Sequence, residues 1–305
     1  MRAGVEAGGP VSTFEVIDFG PARVGVRRWR GRHVPAGGRE ALVLLHGFTG
    51  SSESWSPIAE RLSATGDVVA IDLPGHGAST PDTRDGACAF ERTASLLDGT
   101  IETLGLGRVA LAGYSLGGRV ALYATLARPQ RVARLILEST SPGIATESER
   151  AERRASDDRL AELVLGQGIE AFVDRWQRTP VLASQLRLPA STRAALREAR
   201  LRCSPEGIAA SLRTLGAGQQ PYLADRLVEI GCPVLIIAGR DDEKYAVIAD
   251  ALRRAITGSR LAIVANAGHD VHLEQPDAFV ALLNEFTSEG ARASVPLVRG
   301  HEHDS

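Results

Sequence analysis

The sequence predicts an α/β fold, with a mostly parallel central sheet, helices on both faces and one helical insertion. Three observations predict it. Short β-branched or leucine-rich runs alternate with helical periodicities. The glycine-flanked turn GYSLGG joins one such run to a helix at residues 113–118. The alternation then breaks once, between about residues 140 and 227, where arginine- and glutamate-rich amphipathic segments replace strands.

In chain order, the runs that read as strands are Val24 to Trp29, Leu42 to Leu45, Val68 to Ile71, Val109 to Ala112, Leu135 to Leu137, Val234 to Ala238 and Leu261 to Val264. Each is bounded by turn residues. Helical spacing appears over Ser54 to Leu62, Glu91 to Leu104, Leu116 to Ala127, Ala246 to Ala255 and Pro276 to Phe286. Strands alternating with helices imply a parallel sheet covered on both faces. Residues 21–139 and 228–288 are expected to form this core and residues 140–227 a cap, punctuated by Pro180, Pro189, Pro205 and Pro221. An insertion there emerges at the carboxyl end of the sheet, where open α/β folds bind ligands. Residues 1–20 and 289–305 lack a periodic pattern and are expected to be a loose extension and a disordered tail.

With 305 residues, 44% of them hydrophobic, the chain can bury a full core. A net charge of −2 gives no electrostatic reason to expect nucleic acid as a partner. No apolar run reaches the roughly 20 residues of a membrane span, and MRAGVEAGGPVST lacks the apolar centre of a secretory signal. A cytoplasmic location is the expectation. Cys88, Cys203 and Cys232 have neither disulfide nor zinc-ligand spacing, so no metal is expected. Lys244 is the only lysine among 35 basic residues, so any single arginine is weak evidence of a role.

The chemistry is read from GYSLGG. Ser115 falls on a strand-to-helix turn whose glycine flanks let strand and helix pass closely, the pattern of a nucleophile elbow. A serine hydroxyl needs a histidine to take its proton, and the histidine needs an acid to orient it. PVLIIAGRDDEK places Asp242 just past a strand, with Asp241 as the competing acid. LAIVANAGHDVHLEQP places His269 past the last strand, with His272 as the competitor. In LLHGFTGSSESW, Phe48 follows HG and is expected to offer its backbone N–H to an oxyanion together with Leu116. Each such donor is typically worth about 3–4 kcal/mol in a transition state. His46 and His76 are expected to be structural. The order Ser, Asp, His, each after a strand, identifies the α/β-hydrolase fold with a helical cap.

Beyond the elbow, GYSLGGRVALYATLARPQRVARLILESTSPGI, ESERAERRASD, FVDRWQRTPVLASQ, LRCSPEGIAASLRTLGAGQQPYL, GRDDEKY and AGHDVHLEQP resemble one branch of this superfamily over roughly residues 44–286. That branch is 2-succinyl-6-hydroxy-2,4-cyclohexadiene-1-carboxylate synthase, of menaquinone biosynthesis. The resemblance implies a lyase that eliminates pyruvate from a small-molecule tricarboxylate without metal or organic cofactor. It also implies substrate contacts at Arg119, Arg153 and Arg202, with Tyr114 and Trp176 at matching pocket positions; Lys244, the sole lysine and two residues after Asp242, is a further candidate contact. A guanidinium suits carboxylates because its planar fork grips them bidentately. Arg150 and Arg154 are the neighbours most easily confused with Arg153. A carboxylesterase or C–C bond hydrolase using the same triad covalently, and a non-catalytic ligand receptor, are the competing functions.

Overall fold

The computed structural model describes residues 12–31, 40–84 and 86–288. Eight strands form one sheet: β1 (Ser12–Phe19), β2 (Ala22–Trp29), β3 (Leu42–Leu45), β4 (Val68–Ile71), β5 (Val109–Tyr114), β6 (Val132–Glu138), β7 (Val234–Gly239) and β8 (Arg260–Val264). Their spatial order is β1-β2-β4-β3-β5-β6-β7-β8. From β4 to β8 every pairing is parallel, while β1 and β2 join antiparallel at one edge.

The strands β3, β4, β5 and β7 carry unbroken apolar runs because both of their faces are covered. Alternate residues serve opposite faces. Val43 and Leu45 pack with α2 (Ala89–Thr103), α3 (Leu116–Ala127) and α7 (Glu243–Ala255), whereas Leu42 and Leu44 pack with α1 (Ser56–Leu62) and α9 (Pro276–Ser288). The parallel register sets Leu45 beside Gly113 and Gly113 beside Leu137, so the loops after β3, β5 and β6 leave the sheet at one level.

Ser12–Phe19 departs from the expectation of a loose extension over residues 1–20. It is an edge strand, paired residue for residue with β2 from Ser12↔Trp29 to Phe19↔Ala22, and Gly20, at φ 77°, closes the two-residue turn. The rest of that expectation, residues 1–11, and the tail 289–305 lie outside the described residues.

Between β6 and β7 the chain forms α4 (Glu147–Trp176), a 3₁₀ segment at Pro180–Arg187, α5 (Ala190–Leu201) and α6 (Pro205–Leu215). Gly168 interrupts α4 with φ 85° and ψ 173°, a conformation that only glycine adopts readily. Ala161, Val164, Phe172 and Val173 of α4 close on Ile208, Ala209 and Leu212 of α6 as a separate apolar cluster. Phe48 and Trp176 pack on that cluster, which seats these helices over the loop that follows β3. Among the described residues no helix is long and apolar enough to cross a membrane.

Candidate active site

Ser115 occupies the turn between β5 and α3 with φ 51° and ψ −106°. The turn is possible only because its neighbours lack side chains. A Cβ on Gly113 would meet the backbone of Gly117 and Gly118, and one on Gly117 would drive into the Leu45 carbonyl. The strained serine is held from both sides: its N–H donates to the Glu138 carbonyl at 2.8 Å, and its own carbonyl accepts the Thr140 hydroxyl at 3.0 Å. Thr49 and Ser139, in the loops after β3 and β6, are also non-glycine residues at positive φ, 67° and 47°. Strain therefore gathers where the three loops converge, as is common at functional sites.

The expected partners meet this serine. His269 Nε2 lies 2.9 Å from Ser115 Oγ, and His269 Nδ1 lies 2.6 Å from Asp242 Oδ2. Asp242 caps α7, its Oδ1 accepting the Tyr245 N–H at 3.3 Å, which fixes the carboxylate and leaves Oδ2 for the histidine. Asp241 points away and pairs with Arg187 at 2.6 Å.

His272 also turns away from the serine. It stacks on Trp55, with ring centroids 4.1 Å apart, and its Nδ1 donates to Glu138 Oε2 at 2.8 Å, with Asp270 Oδ1 at 3.2 Å. Burial opposes charge on this ring, but Asp270 and Glu138 outweigh it and raise the imidazolium pKa to about 9.

The loop after β3 is braced by two neutral histidines. His46 donates from Nδ1 to the Gly47 carbonyl at 2.7 Å and accepts the Leu73 N–H at Nε2 at 3.0 Å. Burial lowers its pKa to about 4. His76, lowered by burial and by His46 to about 3, accepts the Thr49 N–H at 3.4 Å. These contacts shape the segment that carries Phe48. Leu116 opens α3, so its N–H is one of those that an α-helix leaves without an intrahelical partner. Trp176 stands edge-on to the Phe48 ring, centroids 5.1 Å apart, and Tyr114 lies 5.5 Å from the His269 ring.

The alpha/beta hydrolase family matches residues 42–282. A relative from Bacillus subtilis (strain 168) is 42% identical over 247 residues, spanning 81% of this chain and 90% of its own length. One from Serratia proteamaculans (strain 568), named 2-succinyl-6-hydroxy-2,4-cyclohexadiene-1-carboxylate synthase, is 35% identical over 81% of this chain and 93% of its own. Among solved structures, MenH from S. aureus is 37% identical with a TM-score of 0.81, over 87% of this chain and 98% of that one. A malate-bound esterase from Thermogutta terrifontis is 27% identical with a TM-score of 0.75, over 88% and 94%.

The chain belongs to the 2-succinyl-6-hydroxy-2,4-cyclohexadiene-1-carboxylate synthase family of alpha/beta hydrolases.

In this member of the synthase family the arginines divide by position. Arg119, one turn into α3, donates from Nη1 to the Leu215 carbonyl at 2.9 Å, and burial lowers its pKa to about 10, so it stays charged. Arg153 reaches from α4 to Asp157, Nε to Oδ1, at 2.9 Å. Tyr245 links this pair to the histidine: its ring stands 4.5 Å from His269, and its phenol interacts electrostatically with Arg119 and Arg153. Arg150 and Arg154 instead pair with Glu147, Arg150 also donating to the Ile144 carbonyl and Arg154 to the Gly218 carbonyl after α6.

Arg202, the third arginine that the resemblance implies, lies at the rim. Its side chain is 60% exposed and reaches Glu53 at 3.4 Å, at the outer rim between α5 and the loop after β3. The inward arginine is Arg200, buried, with one hydrogen bond among the described residues, from Nη2 to Gln185 Oε1 at 2.8 Å. Burial lowers its pKa, and its charge is felt by Tyr114 and Asp270. A buried guanidinium whose hydrogen-bond partner is neutral is suited to an anionic ligand. Lys244 is exposed, its Nζ 5.6 Å from the Tyr245 ring centroid. Sequence reasoning passed over Arg200, Tyr245, Gln185 and Asp157. Spacing alone ranks none of them above a surface or core residue.

Proposed function

We propose that this protein is a lyase that eliminates pyruvate from 2-succinyl-5-enolpyruvyl-6-hydroxy-3-cyclohexene-1-carboxylate, giving 2-succinyl-6-hydroxy-2,4-cyclohexadiene-1-carboxylate for menaquinone biosynthesis. The observation that carries the reading is a Ser115–His269–Asp242 hydrogen-bonded chain set beside Arg119, Arg153 and Arg200, in a chain 42% identical to a relative over most of its length. A serine triad alone fits many acyl-transfer enzymes. Three guanidiniums fit a substrate with three carboxylates.

The steps follow from the geometry. His269 Nε2, 2.9 Å from Ser115 Oγ, accepts the hydroxyl proton as the serine oxygen takes the acidic ring proton beside the succinyl ketone. Asp242 steadies the imidazolium through Nδ1. The electron pair of the broken C–H bond passes into the ketone, and the N–H groups of Phe48 and Leu116 hold the enolate oxygen. As the ketone re-forms, electrons move through the ring double bond and expel the enolpyruvyl oxygen. The proton on His269 returns to the leaving group, which ketonises to pyruvate. No acyl-serine forms, and the chemistry draws on no metal or organic cofactor. Arg119, Arg153 and Arg200 anchor the carboxylates, Tyr114, Tyr245 and Trp176 line the ring, and a cytoplasmic location fits the small anionic substrate.

Purified protein should release pyruvate from this substrate, read by coupling to lactate dehydrogenase; release no faster than the spontaneous rate would overturn the reading. Covalent hydrolysis is the alternative, and it has a separate signature: turnover of neutral p-nitrophenyl esters with an acyl adduct on Ser115.

A further inference from the structure

Two cap segments, RAERRASDD in α4 and LRTLGAGQQP at the end of α6, meet around one buried carboxylate. Asp157 is 2% exposed, and its Oδ1 accepts the Nε of Arg153, one helical turn earlier, at 2.9 Å. The turn after α6 closes over it. A Cβ on Gly216 would run into Asp157 Oδ2 and the Leu212 carbonyl, and one on Gly218 would meet the Arg150 carbonyl. The same turn begins at Leu215, whose carbonyl receives Arg119 Nη1. One corner of the cap therefore holds both guanidiniums, Arg119 directly and Arg153 through Asp157.

Holding them there requires a counter-charge. Arg153 disfavours the charge on Arg119 and Asp157 favours it, so the three form one electrostatic unit. Burial raises the pKa of Asp157, and Arg153 and Arg119 oppose that rise. Arg153 is 44% exposed on a helix facing water, and it has an open route away from its like-charged neighbour. Among the described residues its one hydrogen bond uses Nε, which leaves both Nη groups uncommitted.

We propose that Asp157 is a positioning residue for substrate binding: it pins Arg153 by Nε so that the Nη edge is presented, beside Arg119, to one substrate carboxylate. The inference rests on the tricarboxylate reading above and adds the residue that aligns its arginines. Asp157 touches neither the substrate nor the reacting atoms, so its loss falls on affinity and not on the chemical step.

The test is binding in a Ser115→Ala background, where no turnover interferes. Adding Asp157→Asn, which keeps the shape and removes the charge, is expected to weaken the calorimetric Kd for the substrate about tenfold or more. The decisive comparison adds Arg153→Gln. Without Arg153, Asp157 has no guanidinium left to pin, and its remaining charge, next to Arg119, only repels an anionic ligand, so Asp157→Asn then leaves Kd unchanged or tightens it. An unchanged Kd in the presence of Arg153, or the same weakening in both backgrounds, overturns the inference. Where Asp157→Asn does not fold, Asp157→Ser is measured in its place against the same outcomes. Pyruvate release by the wild type is scored separately. A wild type that binds the substrate and releases no pyruvate sinks the lyase reading and leaves this one standing.

Discussion

Arg200 and Arg202 make opposite predictions although they are two residues apart. Replace each with methionine, which keeps an apolar stem and removes the guanidinium. Arg200 is buried and bonded to a neutral glutamine, so a substrate carboxylate would be its charged partner. A charge-assisted hydrogen bond is typically worth about 1.5–3 kcal/mol. At about 1.4 kcal/mol per factor of ten, Arg200→Met should lower kcat/KM about 10- to 150-fold. The loss should sit mainly in KM, because an anchor on a remote carboxylate serves ground and transition states alike. Arg202 and Glu53 are 3.4 Å apart with both side chains 60% exposed, and such surface pairs contribute about 0–1 kcal/mol. Arg202→Met should therefore change kcat/KM by no more than about twofold. The assay is initial-rate pyruvate release over a range of substrate concentrations, followed by NADH oxidation through lactate dehydrogenase. An Arg202→Met variant as impaired as Arg200→Met would refute the assignment of the inward role.

Two further predictions concern the triad and pH. Asp242→Asn should reduce kcat by about 10³-fold or more, by analogy with other triads that lose their acid, while Asp241→Asn, which loses only an exposed pair with Arg187, stays within about twofold; equal losses would mean the acid is misassigned. His46 and His76 titrate near about 4 and about 3 in the folded protein, below the 6.5 of an unperturbed histidine. Between pH 6.5 and 4 the unfolded chain therefore binds protons that the folded chain does not. Stability contributed by these rings is full above pH 6.5 and falls with pH, by up to about 1.4 kcal/mol per unit for each ring. His272, raised to about 9, has the opposite sign: its contribution is full below pH 6.5 and is lost as pH rises through 9. Melting temperature against pH should fall on both sides of neutrality, and a flat profile from pH 6.5 to 4.5 would contradict the buried, neutral state of His46 and His76.

Most of the sheet was legible because most of its central strands are buried on both faces and are written as continuous apolar runs. The strand at Ser12–Phe19 was not. It lies at the edge, its Phe14 and Val16 are 46% and 44% exposed, and neither of its alternating faces is consistently apolar. The hydrogen-bonded trio Ser115, His269 and Asp242 was legible for a different reason: the fold fixes which loops carry such residues, so a short motif after each strand suffices to locate them. Even there, sequence could favour Asp242 over Asp241 but not explain the choice, which rests on the helix cap that aims one carboxylate at His269.

The arginines mark the limit. Positions 200 and 202 lie at the C-terminal end of α5, where a step of two residues turns a side chain roughly 200° about the helix axis. One side chain is buried and the other reaches solvent. Nothing in the local composition says which, because arginine occurs in this chain both exposed and buried. The choice is made elsewhere, by Gln185 in the preceding 3₁₀ segment, which meets Arg200 from one side and Asp270, the neighbour of His269, from the other at 3.3 Å. The buried guanidinium and the neighbour of His269 thus share one hydrogen-bonded residue, Gln185, where a motif search centred on GxSxG does not look.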